Sequence, residues 1–334
     1  MIVSRAPVRF SLGGGGTDLP SYSGEHGGFL VAAAIDKFVF VSVARRFYEN
    51  IRLAYSKLEM VDSIDQIEHR IFREALRFAG LGRALELHSF ADVPANSGLG
   101  SSSTFTVALL NALHAFKREY LSTEQLAQSA CHIEIDVLKE PIGKQDQYIA
   151  AYGGITAFTF NKDGSVETER LPVKDDTVDE LEANILIFYS GIERSASAVL
   201  AEQAKTIKAN SNDAVERMHR IKALGYETRR LLLDGKIDRY GELLHEHWTN
   251  KRKLASKMSD PVIDEHYEAA LKAGAIGGKL MGAGGGGFFM FYVRPTERRR
   301  VSEALIARGL RPLRFRFDFD GALILANFQR GASR

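Results

Sequence analysis

The chain has 334 residues, of which 45% are hydrophobic and 26% charged, and its formal net charge is +2. This length suits two ordinary domains or one large one, and the composition is that of a globular protein with ample core material. So small a net charge argues against nucleic acid or a membrane surface as partner.

No apolar run approaches the ~20 residues that span a bilayer; the best candidate, residues 29–44, is broken by Asp36 and Lys37. The first residues lead straight into strand-like sequence, with no signal-peptide pattern. The lone cysteine, Cys131, cannot close an internal disulfide. A reducing, cytoplasmic setting is the expectation.

The first 60 residues read as β structure. Residues 8–12 alternate before the glycine run 13–16, and residues 38–43 are strand-forming by type. Ile64, Ile67, Ile71, Phe72, Ala75, Leu76 and Ala79 make a helical stripe over 64–79. Residues 85–90 alternate as a strand. Residues 104–117 predict a helix, and 123–138 another, with Thr123 as its cap and Cys131 buried. Gly153 and Gly154 punctuate before a strand at 155–160. A polar stretch, 161–179, carries the hairpin signal Lys162-Asp163-Gly164. Residues 183–189 predict a buried strand, 196–233 and 239–258 helices, 288–293 a strand, and 315–319 a half-exposed one. The expected division is a domain at 1–180 and another at 181–334.

Three glycine-rich stretches carry the chemistry. The most telling is Pro94-Ala95-Asn96-Ser97-Gly98-Leu99-Gly100-Ser101-Ser102-Ser103, which runs into the predicted helix at 104. Free N–H groups at a helix N-terminus make an anion site, and small residues let a phosphate approach closely. No G-x-x-x-x-G-K-[ST] occurs, so this is not a Walker-type loop. The hydroxyls suit phosphate oxygens and Mg²⁺. A serine cap without a ligand is the competing reading, but three serines in a row exceed what capping needs.

The stretch Gly13 to Gly16 ends in Thr17 and Asp18. A carboxylate at a glycine-loop tip can accept two bonds from vicinal hydroxyls, as in a polyol; a tight turn with Asp18 as helix cap is the alternative. The stretch Gly282-Ala283-Gly284-Gly285-Gly286-Gly287 matches G-x-G-x-x-G, yet an aromatic strand follows it where the dinucleotide fingerprint needs a helix. Two acids stand out, Glu134 and Asp146, although either alone is more often a solvated or capping carboxylate. His245-Glu246-His247 lacks zinc spacing, because i and i+2 of a helix do not face one site.

Together these stretches resemble the three motifs of the GHMP kinase family, in order: residues 5–18, 94–103 and 279–286. The likeness runs over residues 3–330. It implies an α/β fold of two domains: an N-terminal one with a left-handed βαβ unit, a C-terminal sandwich-like one, and an active site in the cleft between them. The Gly-Gly-Gly-Thr-Asp ending of the first motif, followed by Leu19-Pro20 and later Ala34-Ile35-Asp36-Lys37, resembles the sugar-1-kinase branch; galactokinases have Gly-Glu-His-Thr-Asp-Tyr where this chain has Gly-Gly-Gly-Thr-Asp-Leu, which argues against galactose.

The implied reaction is ATP-dependent phosphorylation of the anomeric hydroxyl of a heptose 7-phosphate, with L-fucose or another sugar as alternative acceptor. A non-catalytic sugar- and nucleotide-binding regulator is the alternative of another class. By motif match, Pro94, Ser97, Gly98, Leu99, Gly100, Ser101, Ser102 and Ser103 would hold ATP. Ser102 and Glu134 would hold Mg²⁺, Asp146 would be the base, and Arg9 would stabilise the transferred phosphoryl. Gly15, Gly16, Thr17, Asp18, Gly284, Gly285 and Gly286 would meet the sugar. Arg194 is the first candidate for its phosphate, with Lys37, Arg45 and Lys279 behind it. The expected partners are ATP and a sugar phosphate, with a homodimer left open.

Overall fold

The protein is described from a computed structural model, which covers residues 1–192, 196–208, 212–255, 258 and 261–329. The first part of the chain forms β1 (Ile2–Gly13), α1 (Pro20–His26), β2 (Gly28–Arg45), β3 (Ile51–Ala54), β4 (Leu58–Val61), α2 (Arg70–Ala79) and β5 (Leu85–Ala91). Next come α3 (Ser101–Lys117), α4 (Thr123–Cys131), α5 (Gln145–Tyr152), β6 (Ile155–Phe160), β7 (Val166–Arg170) and α6 (Asp175–Asn184). The remainder forms β8 (Ile185–Tyr189), α7 (Ala196–Lys208), α8 (Asn212–Asp234), α9 (Tyr240–Lys251), α10 (Pro261–Lys272), β9 (Ala275–Leu280), β10 (Phe288–Val293), α11 (Arg298–Ile306), β11 (Arg311–Leu313) and β12 (Leu323–Asn327).

Two sheets organise these elements. The larger runs β12-β1-β2-β5-β3-β4, with β6 and β7 attached to β2; the smaller runs β11-β8-β10-β9. The long strand β2 changes partner along its length. Its first residues pair with β6 and its last with β5. At the same level the register of β1 slips between Pro7 and Arg9, and residues 6–10 are all buried instead of alternating. A slip of this kind bends a strand and re-aims its side chains. Here it accompanies the placing of Arg9 in the cleft.

Apolar faces bury each sheet against its helices. Phe10, Leu30, Val41 and Leu87 of the large sheet pack with Phe72, Leu109 and Leu113 of α2 and α3. Phe289 and Phe291 of the small sheet pack with Trp248, Tyr267 and Val301 of α9, α10 and α11. A third cluster joins Tyr22 of α1 to Val199 of α7, Met218 of α8 and Met258. The helix α8 lies so close to the first glycine loop that a Cβ on Gly225 would stand 3.1 Å from Gly14 Cα. The halves of the chain also interlock at their ends, since β12 returns to the outer edge of β1. No described helix is long and apolar enough to cross a membrane.

Several elements differ from expectation for identifiable reasons. The helix expected at 104 begins at Ser101, because Gly100 supplies a left-handed N-cap and the serines become the first turn. The cap of α4 is Ser122, not Thr123; it forms a reciprocal box with Gln125. The polar stretch 161–179 conceals β7 and the start of α6. The helix expected over 239–258 ends at Lys251. Residues 315–319 make only a single bridge, Phe317 to Ile35; Phe315 and Phe317 set their rings against Phe10 instead of joining a ladder.

Ser122→Ala is expected to lower unfolding stability by about 1 kcal/mol, as loss of a helix cap does, with Thr123→Ala costing less. Urea unfolding monitored by circular dichroism measures both.

Candidate active site

A cavity of about 420 Å³ opens between the loops of the two sheets, and all three glycine-rich stretches reach it. The serine loop forms one wall. Gly98 and Gly100 take left-handed backbones, φ +82° and +76°, which a side chain would strain. Gly98 lies against the third stretch: a Cβ on Gly282 would stand 2.5 Å from Gly98 Cα. The amide of Phe288 donates to Ser97 O at 3.2 Å. The second and third stretches therefore brace one another through bare backbone.

The first turn of α3 carries no side-chain cap, so its N–H groups remain available to an anion. Ser97, Gly98, Gly100, Ser101, Ser102 and Ser103 all line the cavity. Two loop residues do not. Pro94 stands exposed outside it, its carbonyl accepting from Ser101 Oγ at 3.3 Å. Leu99 is fully buried beneath it, its carbonyl taking the Arg9 amide at 3.1 Å.

Glu134 sits in a π-helical turn that continues α4. Such turns are rare and cluster at functional sites. Its carboxylate is fully buried and accepts from Ser102 Oγ at 2.8 Å and from Gln147 Nε2 at 2.7 Å. Both partners are neutral. Burial raises its pKa to about 7, against the lowering effect of those bonds.

Arg9 spans the cleft. Its Nε donates to Asp146 Oδ1 at 2.7 Å, Nη2 lies 2.6 Å from the same oxygen, and Nη1 donates to Gly98 O at 2.9 Å. Asp146 lies in the first turn of α5. Its other oxygen faces the serine loop, where a Cβ on Gly100 would stand 3.0 Å away. The acid, the arginine and the phosphate-type loop thus meet at one point.

Asp18 also faces the cavity, and Gly15 and Gly16 line it beside Asp18. The carboxylate accepts from Gln145 N at 3.2 Å and from Gln145 Nε2 at 2.9 Å. It is not a helix cap; α1 has none from a side chain. Burial raises its pKa to about 6, with the nearby Asp146 charge adding to the shift. Gly143, which composition did not single out, makes room for it: a Cβ there would fall 1.9 Å from Asp18 Oδ2.

Other expectations need correction. Thr17 is fully buried and turned away; its hydroxyl lies 2.9 Å from both Gly14 O and Phe29 O and takes the Phe29 amide, so it staples the loop. Gly284, Gly285 and Gly286 are outside the cavity lining, where Gly282 and Ala283 stand instead. The Gly285 amide binds Met258 O, and a Cβ on Gly286 would meet Ile192 O at 2.5 Å. Arg194 lies outside the described residues. Lys37 pairs with Asp36, and neither Lys37 nor Arg45 lines the cavity. Lys251 and Gln145 do line it, and Lys279 does as well. Lys251 had no sequence signal beyond its place at the end of an amphipathic helix.

Two models of protein families match the chain: the GHMP kinases N terminal domain over residues 66–154 and the GHMP kinases C terminal over 228–310. A mevalonate kinase of Pyrococcus abyssi is 30% identical, covering 70% of this chain and 67% of the relative. The chain belongs to the GHMP kinase family. As such it is a phosphotransferase with an alcohol group as acceptor, and the family's phosphate donor is ATP. A D-glycero-alpha-D-manno-heptose 7-phosphate kinase of Campylobacter jejuni is 29% identical, covering 91% of this chain and 93% of the relative. The structure of a D-glycero-D-manno-heptose 1-phosphate kinase from Bacteroides thetaiotaomicron superposes with a TM-score of 0.82 at 28% identity, covering 98% of this chain and all of that one.

The Asp18 carboxyl has a pH consequence. Folding raises its pKa from 3.8 to about 6, so the folded chain keeps a proton that the unfolded chain has released. Its contribution to stability is full below pH 3.8 and is lost as pH rises through 6. Asp18→Asn, which cannot ionise, is expected to stabilise the unliganded protein by about 1–3 kcal/mol at pH 8, with little gain near pH 4. Melting temperatures of both proteins across pH 4–8 measure this.

Proposed function

We propose that this chain transfers the γ-phosphoryl of ATP to the anomeric C1 hydroxyl of D-glycero-D-manno-heptose 7-phosphate. The product would be the 1,7-bisphosphate, a precursor of nucleotide-activated heptose for bacterial surface polysaccharide. The observation that carries the chemistry is the junction of Arg9, Asp146 and the serine loop. The acceptor class is supported by the heptose phosphate kinases to which the chain is similar over nearly its whole length.

The serine loop cradles the phosphates with the N–H groups of the first turn of α3. The cavity is also lined by His69, Arg70, Ile71 and Leu138, which offer the nucleoside a partly apolar wall. Asp18 accepts bonds from the sugar hydroxyls. Asp146 takes the proton of the C1 hydroxyl as that oxygen attacks the γ-phosphorus and ADP departs. An anomeric hydroxyl is more acidic than an ordinary alcohol, which suits a carboxylate base. Arg9 orients Asp146 and places positive charge beside the phosphoryl in flight.

The residues present fit a magnesium ion. Glu134 is a buried carboxylate whose partners are neutral, and Ser102 binds it directly at the mouth of the phosphate cradle. No cluster of three or more acidic, histidine or cysteine ligands exists among the described residues. The chain would thus offer two ligands, with phosphate oxygens and water completing the shell, as Mg²⁺ prefers. Bound there, the ion would neutralise charge on the triphosphate.

Asp146→Asn is expected to lower kcat by about 10²–10⁴, with the ATP KM changed only a few-fold. Phosphorus NMR of the wild-type product is expected to locate the new phosphate on C1. Turnover within a few-fold of wild type would remove the base assignment. Glu134→Gln is expected to raise the Mg²⁺ concentration for half-maximal rate at least about 10-fold, the scale of a lost charged ligand contact; a magnesium titration of initial rate reads it.

A further inference from the structure

Two lysines in the cavity have no task in the scheme above. Lys279, on β9, and Lys251, at the end of α9, are only 3% and 6% exposed, and both line the cleft. Lysine is almost never buried this deeply without an anionic partner. Here the partners are neutral: Lys279 Nζ lies 3.2 Å from Ser11 Oγ, and Lys251 Nζ donates to Gly282 O. Among the described residues neither ammonium has a carboxylate within ion-pair distance. The nearby acids are already engaged, Asp146 by Arg9 and Asp18 by Gln145.

The position of the pair indicates which anion would complete it. Ser11, which Lys279 touches, packs directly on the first glycine loop: a Cβ on Gly15 would fall 2.3 Å from Ser11 Oγ. That loop carries Asp18. Lys279 is therefore at the acceptor end of the cleft, and Lys251, whose partner Gly282 packs on Gly98, adds its charge from the serine-loop side. We propose that Lys279, Lys251 and Ser11 form a second anion subsite that binds the phosphate ester already carried by the sugar.

The subsite rests on the sugar-phosphate-kinase reading and names the residues that hold the phosphate its acceptor already carries. Burial holds both lysines below their ordinary pKa, Lys251 at about 8 and Lys279 well down, in part because each lies near other cations. A dianion bound beside them relieves that penalty. The same penalty makes the site selective, because a neutral sugar would leave two buried cations without a counter-charge.

The test compares heptose 7-phosphate with unphosphorylated heptose as acceptors, in the wild type, Lys279→Met, Lys251→Met and Lys279→Arg. Wild type is expected to prefer the phosphorylated sugar in kcat/KM. Each methionine variant is expected to shrink that preference by about 10–100-fold, the scale of lost charge-assisted bonds, and Lys279→Arg to restore part of it. Calorimetric titration with heptose 7-phosphate in the absence of ATP is expected to show the same loss. Equal losses on the two acceptors would overturn the subsite and assign the lysines to the transferred phosphoryl. A wild type that uses both sugars equally would overturn the subsite while leaving the sugar-kinase reading intact. Phosphorylation of neither sugar would overturn both. Should one methionine variant fail to fold by circular dichroism, the other carries the comparison.

Discussion

The site depends on one buried guanidinium. Arg9 binds Asp146 on α5 and the Gly98 carbonyl of the serine loop, while its own amide binds the Leu99 carbonyl. Three segments far apart in sequence are thereby held at one point. Arginine suits this role because its planar fork donates in several fixed directions and never loses its charge. Its side chain is 5% exposed, so these bonds form away from competing water and strengthen accordingly. The register slip in β1 sits beside Arg9, so the strand geometry and the site chemistry are linked.

Around this anchor the cleft is assembled from backbone approaches that only glycine permits. Gly98 and Gly282 meet without side chains, and Gly143 leaves room for Asp18. These contacts let polar groups sit close together, and they also exclude water. The consequence is a set of charges that the unliganded chain satisfies poorly. Asp18 and Glu134 are pushed up in pKa, and Lys251 and Lys279 are pushed down, with burial the largest cause in each case. A site of this kind favours ligands that supply the missing counter-charges: a divalent cation for the acid, anions for the lysines. Stability and function pull in opposite directions here, as strained polar sites do generally.

Much of this was legible in local sequence. The serine loop, the Gly-Thr-Asp tip and the third glycine run were each visible as short patterns with a physical meaning. Strands such as β10 and helices such as α3 followed from residue type and periodicity, since neighbours three and four apart share a helix face. What failed locally had a tertiary cause. Thr17 reads like a substrate hydroxyl beside Asp18, but its bonds go to Gly14 of its own loop and to Phe29 on β2, which the fold brings beside that loop. Phe315 and Phe317 alternate like a strand yet pack against Phe10. Glycines 284–286 brace Met258 and Ile192 while the preceding pair faces the cavity.

The sequence by itself determined the class of chemistry. Loops of glycine and serine ahead of a helix make an anion cradle wherever they occur, because the free N–H groups belong to the backbone and need no distant partner. Their order along the chain was enough to suggest the family. Only the tertiary structure decided which side chains work together. Lys251 comes from a helix end with nothing local to mark it, and Lys279 was one of several cations the sequence offered; folding singles out the two by burying both in one cavity. A buried charge is a property of its surroundings, and those surroundings are set by residues from many separate stretches of the chain.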